Sequence, residues 1–195
     1  MTLSGCNGGV VIEWSKVLDA RFNHYTTLRS TSSNMAGAVE VAGTYTTDAA
    51  KTSAVDATGA LHTTYHYRVM AFDASDQVIA ASSVQSAKAK PIHDLSELTA
   101  APAGGAETTF TWAAYPGPGS CFSYYKLVYS DTDPAPSYLD GDPNWAAVAE
   151  QSATSVTVDG PVSGETYYIR LQAIRATALG SFVVAQTDVL EYTAP

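Results

Sequence analysis

The feature that most constrains this chain is that it is written twice. "VVIEW" (Val10 to Trp14) and "TTFTW" (Thr108 to Trp112) both alternate in polarity and end in tryptophan, 98 residues apart. "FNHYTTLRS" (Phe22 to Ser30) and "FSYYKLVYS" (Phe122 to Ser130) agree at Phe, Tyr and Ser without a gap, 100 residues apart. "TTYHYRVMAF" (Thr63 to Phe72) answers "ETYYIRLQAI" (Glu165 to Ile174), with Tyr65, Arg68 and Ala71 matching Tyr167, Arg170 and Ala173 at an offset of 102. Three ordered matches whose spacing drifts by two each time mean a duplicated module with short loop insertions. The boundary falls in "KAKPIHDLSEL" (Lys88 to Leu98), which divides the chain into residues 1–90 and 91–195.

Each copy reads as all-β. Short segments rich in Val, Thr, Tyr and Ile alternate in polarity between Gly, Pro, Asp and Ser clusters, the pattern of half-buried strands separated by turns. No window holds a helical apolar stripe, and "NWAAVAEQS" (Asn144 to Ser152) reads as a short strand from its place in the repeat. Strands are expected near 8–15, 22–30, 38–46, 51–57, 64–73 and 77–88 in the first copy. In the second they are expected near 95–99, 106–113, 122–130, 145–150, 154–159, 165–175 and 180–191. About seven strands per hundred residues is the density of a β-sandwich. The opening strand of the first copy is expected to be nearly absent, because Trp14 arrives so soon. That leaves either an open sheet edge or one completed by residues outside this chain.

On these residues both copies resemble fibronectin type III domains. A Trp ends the second strand (Trp14, Trp112), a Tyr lies in the third (Tyr25, Tyr125), and "ETYYIRLQA" and "TTYHYRVMA" match the sixth. The resemblance implies two tandem seven-stranded immunoglobulin-like sandwiches, with Trp14, Tyr65, Trp112 and Tyr167 as structural core residues. It also implies that Tyr65 and Tyr167 each fill the core edge while the hydroxyl makes a corner hydrogen bond to backbone, expected at a carbonyl. Through "FSYYKLVYSDTDPAPSYLDGDP" the second copy looks especially like repeats of bacterial surface and secreted proteins.

Composition narrows the function. With 10 basic and 19 acidic residues the net charge is −9, the wrong sign for nucleic acid or an anionic membrane surface. No run of 18 apolar residues is present and no basic-then-apolar leader, so neither membrane insertion nor a signal peptide is expected in this chain. "LSGC" (Leu3 to Cys6) matches a lipoprotein cleavage pattern, but the residues before it cannot supply the apolar stretch such a signal needs. The catalytic and phosphate-binding motifs G-x-S-x-G, H-E-x-x-H, Walker loop and dinucleotide fingerprint do not occur. His62 and His66 have helical chelate spacing, but on a strand four residues span about 13 Å and no ion bridges them. No enzyme is expected.

The richest polar stretch is "SDTDPAPSYLDGDPNW" (Ser130 to Trp145). Asp131, Asp133, Asp140 and Asp142 could offer hard oxygen ligands to Ca²⁺, or they could simply form solvated turns. Tyr138 and Trp145 border the loop and could make a platform for a sugar or peptide, or pack the loop onto the sheet. Apart from that Ca²⁺ no cofactor is expected. "AFDASDQVIA" (Ala71 to Ala80) reads as a hairpin with Asp73, Asp76 and Gln77 at its tip, and no R-G-D tripeptide occurs.

The first expectation is therefore a non-catalytic extracellular module pair, a stiff spacer, adhesion or assembly segment whose partners are neighbouring domains of a longer chain. The alternative is a carbohydrate- or protein-binding module using the Asp131–Trp145 loop. The two cysteines, Cys6 and Cys121, bear on this choice. In the sandwich topology implied by the resemblance, Cys6 precedes strand two of the first module and Cys121 follows strand two of the second. Facing poles of tandem modules would then carry them, and an interdomain disulfide is expected; two unpaired thiols are the competing reading.

Overall fold

The computed structural model describes all 195 residues, Met1–Pro195. They divide into two compact units: Met1–Pro91 with Ala176–Phe182, and Ile92–Arg175 with Val183–Pro195.

Unit 1 contains β1 (Thr2–Cys6), β2 (Gly9–Glu13), β3 (His24–Ser30), β4 (Val39–Glu40), β5 (Ser53–Asp56), β6 (Tyr65–Phe72), β7 (Val78–Ala81) and β8 (Gln85–Ala87). One sheet has the order β1-β2-β5; the other has the order β4-β3-β6-β7, with β8 also on β6. Strands β7 and β8 are two halves of one strand, so the sandwich is seven-stranded. The break falls at Ser82, whose hydroxyl accepts from the Val69 N–H at 3.1 Å. Alternation sends Val10 and Ile12 from one sheet, and Tyr25, Tyr67, Val69 and Ala71 from the other, into a common core. Val11 points the opposite way yet is only 1% exposed. That outer face carries the Ala176–Phe182 segment: Leu179 bridges Ala54, the Ala178 N–H donates to Ser53 Oγ at 3.0 Å, and Gly180 lies against Val55, the register partner of Val11.

Two expectations for this unit are corrected. The opening strand is present, and all five residues of β1 pair with β2 from Thr2↔Glu13 to Cys6↔Gly9; the Asn7–Gly8 turn needs only two residues, so an early Trp14 leaves room for it. The strand expected over 38–46 shrinks to Val39–Glu40. Beyond it the Val41 N–H donates to the Thr27 carbonyl at 2.9 Å, and the chain then turns, with the Thr44 N–H bonded back to the Val41 carbonyl.

Unit 2 contains β9 (His93–Asp94), β10 (Thr99–Gly104), β11 (Glu107–Thr111), β12 (Tyr124–Ser130), β13 (Asn144–Val148), β14 (Ser155–Val158), β15 (Thr166–Thr177) as far as Arg175, β16 (Gly180–Gln186) from Val183 onward, and β17 (Leu190–Thr193). Its sheets are β10-β11-β14 and β13-β12-β15-β16-β9, with β17 also on β15. Counting β9 with β10 and β16 with β17 as split strands, the order is that of unit 1. The strand expected at 95–99 is displaced: pairing falls at His93–Asp94 and again from Thr99, because Ser96 takes a φ of +64° that breaks the extended run. Both units are thus sandwiches of fibronectin type III-like topology, read from strand order and register.

Candidate functional site

The tyrosines and tryptophans of the repeat form one recurring device. Trp14 and Trp112 each stand one residue past a strand end, their N–H groups donating at 2.9 Å to Thr52 and Thr154 carbonyls. Their rings lean on Tyr25 and Tyr125, with centroids 5.4 and 5.6 Å apart. The Tyr25 hydroxyl accepts from the Val17 N–H at 2.7 Å; that of Tyr125 accepts from Tyr115 at 2.6 Å and donates to the Gln151 carbonyl. Tyr65 and Tyr167 accept from the N–H groups of Ala60 at 3.2 Å and Val162 at 3.3 Å. The corner hydroxyls therefore receive a backbone proton, where a carbonyl partner was expected. Ser30 and Ser130, also matched in the repeat, close their strands by accepting the turn N–H groups of Ser32 and Asp133 at 3.0 Å.

The loop from Asp131 to Trp145 does not gather its polar groups into one place. The Asp133 carboxylate accepts from the Ala135 N–H and that of Asp142 from the Ser137 N–H, both at 2.8 Å. These are turn bonds, and no three carboxylate, histidine or cysteine side chains anywhere in the chain group as metal ligands would. Asp131 and Asp140 are exposed. The two aromatics separate as well. Trp145, the second residue of β13, sits at a register shift that turns it to the core, stacked on Tyr129 with centroids 4.1 Å apart and edge-on to Tyr167 at 5.1 Å. Tyr138 lies on the opposite face of the sheet, its ring 4.7 Å from Lys126 Nζ, which also faces Tyr124 at 5.4 Å. Burial, with Tyr138 beside it, raises the Tyr124 hydroxyl above its ordinary range. The loop is pinned to this outer face through the Tyr138 N–H, which donates at 2.8 Å to the buried Gln172 side chain. A single platform made of Tyr138 and Trp145 is therefore not formed.

A second polar constellation, which sequence reading missed, lies inside unit 1. Asp56 is 1% exposed and accepts from Arg29 at 2.7 and 3.0 Å, the Thr58 hydroxyl at 2.8 Å, the Thr58 N–H at 2.9 Å and the Tyr67 hydroxyl at 3.0 Å. Burial alone would raise the Asp56 carboxyl, but Arg29 and the two Thr58 donors outweigh it and hold it below the usual carboxylate range. Burial and the adjacent carboxylate push the Tyr67 hydroxyl far upward. The Arg29 guanidinium also sits 4.6 Å from the centre of the Tyr65 ring. In unit 2 the positions matching Arg29, Asp56 and Tyr67 are Tyr129, Val158 and Ile169, with the same register pairs. There the space is filled by Phe110, Tyr129, Trp145, Tyr167 and Tyr192. One fold position thus has two solutions, ionic in one copy and aromatic in the other.

Neither cysteine is free: Cys6, at the end of β1, and Cys121, in a 3₁₀ turn, are both disulfide-bonded. The chain has no third cysteine, so the bond is Cys6–Cys121.

The strand order, the tyrosine corners and the tryptophan positions define a tandem of fibronectin type III-like sandwich modules. No known family profile matches the chain, and no curated protein does. Among solved structures it is similar to the one described as "Crystal structure of chicken CNTN1 FN1-FN3 domains", at 13% identity and a TM-score of 0.42. That likeness covers 98% of this chain and 62% of the other.

Proposed function

We propose that this chain is a non-catalytic pair of sandwich modules from a larger bacterial surface or secreted protein, where it serves as a stiff spacer, adhesion or assembly segment. The observation that supports this reading is the oxidised state of both cysteines. Thiols in a reducing cytosol stay reduced, so a persistent structural disulfide fits an exported protein. Cys6 and Cys121 are 115 positions apart and belong to different units. Each unit has its own core, so a covalent tie between them limits their relative motion and builds no reactive site. Protein purified without reductant is expected to show no titratable thiol, and reduction is expected to broaden the intermodule distance distribution seen by small-angle scattering. Two titratable thiols, or scattering indifferent to reduction, would overturn the proposal.

A further inference from the structure

One arginine of unit 1 lacks the partner that its counterpart in unit 2 has. Tyr67, Val69 and Ala71 of β6 face the core, so His66, Arg68, Met70 and Phe72 face outward from the larger sheet. Arg170, the match of Arg68, faces outward from the equivalent sheet of unit 2, and its guanidinium donates to the Pro136 carbonyl at 3.4 Å. Two residues on, the Tyr138 N–H donates to Gln172, and the Tyr138 ring lies over the Lys126 amine. The loop between β12 and β13 thus covers Arg170, Gln172 and Lys126. In unit 1 the connection between β3 and β4 is shorter, residues 31–38 against 131–143, and none of its carbonyls accepts from Arg68.

Arg68 is half-buried, with its Nε shielded and without a hydrogen-bond partner. The ion pairs of the chain, Arg21–Asp19 and Arg29–Asp56, do not include it. A guanidinium drawn partly out of water binds a carboxylate well, because its forked donors match two oxygens. The carboxylate in its row of the sheet is that of Glu40, which Leu28 separates from it. Next to Arg68 the face is less polar than in unit 2. Met70 and Thr26, which are register partners, stand where unit 2 has Gln172 and Lys126. Met70 offers no strong acceptor for a backbone N–H, but its thioether makes favourable contact with an aromatic ring. Thr26, shorter than lysine, leaves room for that ring. An aromatic wall closes this end of the face: exposed Tyr45 stacks on His24 at 4.9 Å, and His24 on Phe72 at 4.8 Å.

We infer that the outer face of the larger sheet of unit 1 receives an acidic segment of a partner protein, with a carboxylate on Arg68 and an aromatic ring on Met70 beside Tyr45. Unit 2 supplies the spacing of these two groups. There the acceptor on Arg170 and the ring on the same face belong to residues two apart, Pro136 and Tyr138. The occupant is therefore a segment with Asp or Glu two positions before Phe, Tyr or Trp. Charge selects it, because the segment brings the anion that Arg68 lacks. The inference needs only unit 1 and stands apart from the spacer reading.

The test adds a capped peptide of the Ala135–Leu139 sequence, carrying Pro136→Glu, to the whole oxidised protein, followed by NMR. Saturable shifts are expected at the Arg68 Nε–H, the Met70 methyl group and the Tyr45 ring, with none on the equivalent face of unit 2. Glutamine in place of the peptide's glutamate, or Arg68→Met in the protein, should each weaken binding roughly tenfold or more, the loss expected for a charge-assisted hydrogen bond. Arg68→Met should not lower the Tm of unit 1, since no internal bond is lost; a clear fall would assign Arg68 to the fold and overturn the inference. Absence of saturable shifts at millimolar peptide also overturns it, as does binding that neither change weakens. Dimerisation that requires Arg68 and that the peptide cannot displace overturns it too, since the occupant would then be a second copy.

Discussion

Replacing Arg29 by methionine tests whether the ionic cluster of unit 1 stabilises the fold. The guanidinium is mostly shielded, with 16% of the side chain exposed, and its partner carboxylate is wholly buried. Removing one member of such a pair costs about 3–5 kcal/mol, because the other charge is left buried without compensation. Asp56 keeps three donors, from Thr58 and Tyr67, so the loss should lie near the lower end, about 3 kcal/mol. In a domain of this size that lowers Tm by roughly 12–24 °C. The pH dependence should change sign. In the native protein the Asp56 carboxyl is held down, so its contribution is present above the unfolded carboxylate value, about 3.9, and is lost as pH falls through the folded value. In Arg29→Met burial is no longer outweighed and the carboxyl rises. The variant then gains stability as pH falls from neutrality through that raised value. Calorimetry from pH 3 to 7, with hydrogen exchange to assign the melting transition to unit 1, reads both effects. The triple variant Arg29→Met, Asp56→Leu, Tyr67→Phe removes every charge and should recover to within about 1 kcal/mol of the native protein. A loss under about 1 kcal/mol for Arg29→Met, with an unchanged pH slope, would refute the reasoning.

Two further substitutions test the packing. Tyr65→Phe and Tyr167→Phe each remove a single acceptor for a backbone N–H at a strand corner. Each should lower the stability of its own unit by about 0.5–1.5 kcal/mol in urea unfolding, without altering the other unit. Gly160→Ala would set a methyl group 2.5 Å from Trp145 Cδ1. That ring is fixed between Tyr129 and Tyr167, so overpacking should cost unit 2 about 1–3 kcal/mol, visible as reduced hydrogen-exchange protection in β13 and β15.

What the sequence discloses here is governed by period and repetition. Strand β3 and strand β12 are legible because alternation fixes which residues face the core, and the gapless match of Phe22–Ser30 to Phe122–Ser130 confirms the register twice over. Features that depend on a distant partner are not legible. Arg29 follows Tyr25 and Thr27 on the core face of β3, and Asp56 follows Ala54 on that of β5. Taken singly, each is a charge at a strand end, where solvent is the default expectation. Only the fold brings them to 2.7 Å. The acidic loop misleads for the opposite reason. Its aspartates, Tyr138 and Trp145 are close in sequence, yet a register shift at Trp145 turns its ring to the core while Tyr138 sits in a 3₁₀ turn on the other face.

The same logic explains why the copies differ where they do. A sandwich end must be filled, and Val158 and Ile169 leave unit 2 with apolar walls that Trp145 and Tyr129 complete by stacking. With Asp56 and Tyr67 at those positions, unit 1 has polar walls, and only a cation at position 29 satisfies them. A tyrosine there would strand the carboxylate.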